Sequence, residues 1–120
     1  MDKNTTLSSL KELVQKFCEE RDWDQFHDPK ELAIGISTEA NELLEIFRFQ
    51  TKEQMRKQLS LEGSRAQIKD ELADVFFFIL RFAQMNDIDL SESLEKKISD
   101  NNLKYPVEKA RGNNAKYNQR

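Results

Sequence analysis

The sequence predicts an all-α fold: four main helices in a bundle, a short extra helix, and a basic C-terminal tail. Three observations carry this. Only three Gly and two Pro occur in 120 residues, too few for a turn-dense β fold. Hydrophobic residues make up 38% and charged residues 34%, the balance of amphipathic helices. Apolar positions recur at helical spacing, and no strands or repeats are evident.

Each element follows in turn. Leu7, Leu10, Val14 and Phe17 mark a first helix from about residue 6 to 21. The stretch WDQFHDP, 23–29, reads as a loop rich in aromatics. Asp28 then caps a second helix, with Pro29 at its first position and Glu31 completing a capping box. That helix runs to about Phe49, with Leu32, Ile36, Ala40, Leu43 and Phe47 on its buried side. Thr51 caps a short polar helix over about 52–59. EGS, 62–64, reads as a turn, with Ser64 capping a long helix that ends near Met85. NDID, 86–89, breaks the chain, Asp89 and Glu92 form another capping box, and Leu90, Leu94 and Ile98 mark a helix to about Lys104. Tyr105-Pro106 stops it. The helical domain is therefore 1–106 and the tail 107–120. From Lys104 onward five basic residues face one acid, Glu108.

Composition excludes several classes. A mass of 14.1 kDa fits one domain. The single cysteine, Cys18, rules out an internal disulfide and a thiolate metal cage. A net charge of −3 argues against binding a nucleic acid polymer through its phosphates. The first thirty residues carry no signal-peptide pattern, and Val75–Leu80 is too short to cross a bilayer; the expected location is the cytoplasm. A chain this short is marginal alone, so a homo-oligomer, a dimer or a tetramer, is expected to cover apolar surface.

The chemistry lies in KDELADVFFFIL, 69–80, where Glu71 and Asp74 head a run that is apolar on nearly every side. Three consecutive phenylalanines leave no exposed face for all of them, so the segment is expected to be buried. Glu39 and Glu42 in STEANELLEIF have the same spacing, which places each pair on one helix face. Two helices packed about 8–10 Å apart bring both pairs into one gap. A like-charge pair at 4 Å costs about 4 kcal/mol at intermediate dielectric, and no four basic residues stand beside these acids to cancel it. A divalent cation resolves the conflict. All-oxygen ligands favour a hard ion, Mg²⁺ or Mn²⁺. Ion pairing to Arg81, Lys97 or the tail is the simpler alternative. Glu45 adds a carboxylate to the same turn region.

These blocks resemble the all-α nucleotide pyrophosphohydrolases of the MazG-like superfamily, especially the dCTP pyrophosphatase branch. The likeness runs over about residues 13–117. Its Glu-x-x-Glu and Glu-x-x-Asp motif stands as Glu39, Glu42, Glu71 and Asp74; ERDWDQFHDP at 20–29 and K-x-x-x-N-x-x-K-Y-P-V at 97–107, followed by RG and KY, match as well. The resemblance implies hydrolysis of a (deoxy)nucleoside triphosphate, dCTP-like or modified, to monophosphate and pyrophosphate, as housecleaning of the nucleotide pool. It implies that the four acids are both metal-ligating and catalytic. It also implies that Trp23, Asp24, Gln25, Phe26 and His27 hold the nucleotide, with Trp23 offering a stacking face. Lys97, Asn101 and Lys104, on one face of the last helix, lie near the phosphates in this family, and Arg111 and Lys116 are further candidates.

Three positions depart from the branch. Phe49 stands where a second Trp clamps the base, Phe78 where a Tyr offers a hydroxyl, and Val14 where a His lies, so strict cytosine preference is in doubt. Two other classes compete. A di-iron bundle needs two Glu-x-x-His units, and the single histidine, His27, is outside any such spacing. A non-catalytic helical interaction or oligomerisation module would retain the fold, and the complete acid pairs argue against it.

Overall fold

The computed structural model describes residues 1–114, which are helical without strands. The elements are α1 (Leu7–Glu20), a 3₁₀ turn (Asp24–Phe26), α2 (Pro29–Phe47), α3 (Lys52–Ser60), α4 (Glu62–Met85), α5 (Leu90–Lys104) and α6 (Val107–Ala110). Lys116 and the final KY motif lie outside the described residues.

Local chemistry sets most of the boundaries. Thr6 accepts from the Ser9 N–H at 3.1 Å, Asp28 from Glu31 at 2.8 Å and Asp89 from Glu92 at 2.8 Å, each satisfying an orphan donor of a first turn. Thr51 and Gln54 make both halves of a capping box. The start of α4 differs from the sequence expectation. Instead of a turn at 62–64 capped by Ser64, the helix begins at Glu62, and extended Leu61 (φ −83°, ψ 131°) is the sole residue between α3 and α4. Gly63 and Ser64 fall in the first turn, where N–H groups have no intrahelical partner, and Glu62 complements the helix dipole there.

The chain divides into two compact units, Met1–Asp87 and Ile88 onward. In the first, α4 is the central helix: α2 packs along it most extensively, with α1 and α3 on other flanks. The core of this unit is small, comprising Val14, Cys18, Leu32, Ile68, Leu80 and Ala83. Of the apolar face expected on α2, only Leu32 is fully buried, and Ala40 is exposed. Gly35 allows close approach of α2 to α4: a Cβ there would lie 2.7 Å from the Phe78 ring. Rings of Trp23, Phe17, Phe77 and Phe78 meet edge-on in series at 5.3–5.9 Å between centroids, running from the 23–27 loop to α4.

The expectation that VFFFIL is buried fails within one chain. Leu80 is buried, but Val75, Phe77, Phe78 and Ile79 are half-buried and Phe76 is 39% exposed. One side of α4 faces its neighbours; on the other, Phe76 borders the start of α1 at Leu7 and Leu10, and Leu72 stays exposed. The second unit holds α5 and α6. The α5 expected as a fourth bundle helix thus falls in this unit, with Leu94, Ile98 and Leu103 exposed.

Candidate active site

The spacing of the two acid motifs becomes geometry where α2 lies along α4. Glu39, Glu42, Glu71 and Asp74 each offer a carboxylate oxygen within 4.8 Å of all the others. Glu39 and Glu71 are half-buried, Glu42 and Asp74 exposed, so the cluster sits at the edge of the α2–α4 seam. Glu39 Oε2 and Glu71 Oε2 are buried without a hydrogen-bond partner.

The electrostatics reflect the crowding. Burial and then the adjacent Glu42 carboxylate push Glu39 above the ordinary glutamate range. For Glu71 the contact with Glu42 is the larger cause and burial the next, with Asp74 and Asp70 adding to it. Two buried oxygens lacking donors, inside four converging carboxylates, match an oxygen-coordinated divalent cation. Arg81 does not supply the missing charge, contrary to the alternative of ion pairing: it pairs with Asp24 instead.

A cleft of about 310 Å³ opens beside the cluster, lined by Glu42, Glu45, Ile46, Gln67 and Glu71. Glu45 is ion-paired to Arg48 at 3.0 Å. Gln67 was not singled out by the sequence reading; its signal is position, one turn before Glu71 on the same helix.

The loop candidates are placed as follows. Trp23 is 37% exposed and Phe26 61% exposed. The Gln25 amide donates to the Asp22 carbonyl and carboxylate, both at 3.1 Å. Asp24 and His27 both accept hydrogen bonds from Arg81. Asp22, just before the loop, has φ +54°, a left-handed conformation unusual outside glycine. Arg81 is the residue that sequence reasoning underweighted. Its signal was a single charge inside VFFFILRFA, where an arginine has to be paired if the segment packs.

Phe49, just past the end of α2, has φ +64° and is 92% exposed, with the Arg48 guanidinium 4.7 Å from its ring centroid. Phe78 packs against Gly35 and Phe77, and Val14 is part of the core. Lys97, Asn101 and Lys104 stand on α5, and Arg111 follows α6, all in the second unit. The α5 stripe is not purely basic: Asp100 pairs with Lys96 at 2.9 Å, and Lys96 foremost, with Lys97 and Lys104 adding, holds its carboxyl below the usual range.

Among known proteins, the sequence pattern of the MazG-like family matches residues 34–119. The chain is 33% identical over 112 residues to dCTP pyrophosphatase 1 of Bos taurus and of Homo sapiens. That match covers 93% of this chain and 66% of each relative, so the chain spans just under two thirds of their length. A pyrophosphatase of Archaeoglobus fulgidus superposes with a TM-score of 0.77 at 32% identity, over 82% of this chain and 91% of the other.

Proposed function

The chain belongs to the MazG-like family, and from that premise we propose that it is a nucleoside triphosphate pyrophosphohydrolase. Its substrate would be a deoxynucleotide, dCTP-like or modified, cut to the monophosphate and pyrophosphate in the cytoplasmic nucleotide pool. The observation that carries this reading is the acid cluster, with four ligand oxygens within 4.8 Å and two buried oxygens lacking partners. Similarity to the dCTP pyrophosphatases and to the archaeal pyrophosphatase supports it.

Glu39, Glu42, Glu71 and Asp74 would hold the cation, Mg²⁺ or Mn²⁺. When bound, it supplies counter-charge to phosphate oxygens and acidifies water. The chain's own residues do the rest. Water attacks the α-phosphorus, and the bond to the oxygen bridging α and β breaks, releasing pyrophosphate. Glu45 lines the cleft one turn beyond Glu42 and outside the ligand set; held by Arg48, it takes the water's proton. Trp23 and Phe26 offer exposed aromatic faces for the base. It is the family resemblance that offers Lys97, Asn101, Lys104 and Arg111, with Lys116 of the basic tail, as phosphate donors.

A homodimer or homotetramer is part of the same proposal. A groove of about 470 Å³ on α4, lined by Lys69, Leu72, Ala73, Val75, Phe76 and Ile79, is apolar apart from its lysine. A second copy is its proposed occupant. The decisive experiment assays canonical and modified nucleoside triphosphates, with Mg²⁺ and with chelator, for monophosphate and pyrophosphate. Orthophosphate release would move the cleaved bond. No turnover by folded, cation-binding protein would leave the interaction-module reading in its place.

A further inference from the structure

Arg81 is 1% exposed, and all three guanidinium nitrogens are used. Nη1 donates to Gln84 Oε1 at 2.7 Å on the same helix. Nε donates to His27 Nδ1 at 3.0 Å, and Nη2 forms an ion pair with Asp24. Two of three partners therefore belong to the 23–27 loop, more than fifty residues away in sequence. Seven residues separate Arg81 from Asp74, close to two full helical turns, so both lie on nearly the same side of α4.

The consequence for the loop is specific. An Nδ1 that accepts a hydrogen bond carries no proton, so His27 is held as the neutral tautomer with its hydrogen on Nε2. Burial and the Arg81 cation push His27 below the usual imidazole range, with Asp24 opposing. Gln25 is turned back onto Asp22. One polar atom of each side chain at 24, 25 and 27 is thus engaged in holding the loop itself. Outward, the loop exposes the rings of Trp23 and Phe26 beside the remaining atoms of Asp24 and Gln25, which are also exposed.

We infer that Arg81 is a positioning residue for base recognition: it fixes the 23–27 loop to the helix that bears Glu71 and Asp74, leaving the base to be held by stacking rather than by edge-specific hydrogen bonds from Asp24, Gln25 or His27. Stacking tolerates any base, because each has a π-face. The inference rests on the nucleotide reading of the site and adds a substrate prediction to it: discrimination among bases by this loop is weak.

Trp23 and His27 are the only tryptophan and the only histidine in the chain, so the untagged protein reports on the loop without labelling. Wild type, Arg81→Lys and Arg81→Met are compared by steady-state kinetics on four deoxynucleoside triphosphates, by Mn²⁺ binding, and by NMR titration of the imidazole. Lys keeps a charge and Met keeps much of the buried volume, so one of them is expected to fold. The expected result is a KM raised about tenfold or more for every base, with kcat and Mn²⁺ affinity within about threefold of wild type. The His27 titration moves upward in Arg81→Met, and the Nδ1–H tautomer becomes populated. Unchanged KM and an unchanged imidazole titration in a folded variant would overturn the role of Arg81. A large wild-type preference for one base, lost on Asp24→Asn or Gln25→Ala alone, would overturn recognition by stacking. A wild-type protein that cleaves no triphosphate would overturn the nucleotide reading itself, a result that no Arg81 variant can mimic.

Discussion

At the level of single residues, the acid cluster makes a prediction with a definite sign. Glu39 and Glu71 hold their protons more tightly in the folded chain than in the unfolded one. A carboxyl whose folded value is raised contributes stability that is fully present below its unfolded value, about 4.3, and is lost as pH rises through the folded value. Metal-free protein should therefore lose stability across that window, and Mg²⁺ or Mn²⁺ should restore it near pH 7. The rise in Tm on adding the cation is expected to shrink as pH is lowered toward 4.5. Glu71→Gln should abolish turnover, flatten this dependence and leave helical circular dichroism intact; a fully active variant would mean the acids are misassigned. His27 has the opposite sign, since its lowered value costs stability as pH falls below about 6.5. The difference between wild type and Glu71→Gln isolates the acids from that background. The four acids were legible in the sequence because i, i+3 spacing on a helix is a statement of geometry. The partners of Asp24 and His27 were not, because no spacing rule links positions 24 and 81.

Helix starts were legible for a related reason. A side chain at the cap acts within three residues, so Asp28, Thr51 and Asp89 announce α2, α3 and α5, whereas α1 is announced by its apolar spacing and Thr6 emerges as its cap only in the structure. The start of α4 was not legible, since Leu61 offers no side-chain oxygen and the break consists of its backbone angles alone. Packing between elements gives a second prediction. Gly35→Ala gains about 0.8–1 kcal/mol in helix propensity, but places a methyl 2.7 Å from the Phe78 ring. Overpacking of that kind costs about 1–3 kcal/mol, so the net effect should be a lower Tm. Gly63 is the control, because nothing lies within 4 Å of a Cβ there and Gly63→Ala meets no clash. Differential scanning calorimetry should find Gly63→Ala unchanged or more stable and Gly35→Ala less stable. Equal shifts of the two would show that the α2–α4 seam yields easily at Phe78.

For the molecule as a whole, the instructive failure is VFFFIL. Three consecutive phenylalanines call for burial on the energetics of apolar surface, yet within one chain Phe76 and Leu72 remain exposed. Hydrophobic patterning reports that a surface is to be covered, but it does not say which chain covers it. An exposed apolar patch on the helix that also bears Glu71 and Asp74 is a strong reason to expect a partner, and a small monomer with so modest a core gains most from one. If a second copy is the cover, a charge at the middle of the patch should be more disruptive than one at its rim. Phe76→Lys is therefore expected to convert the assembly to monomer in size-exclusion chromatography with light scattering, whereas Lys69→Glu at the edge should leave it associated. Because the mutated face is on the far side of α4 from the seam with α2, the monomer should keep its helices. A wild-type chain that elutes as a stable monomer at high concentration would remove the second copy from the proposal, and the groove would then need another occupant.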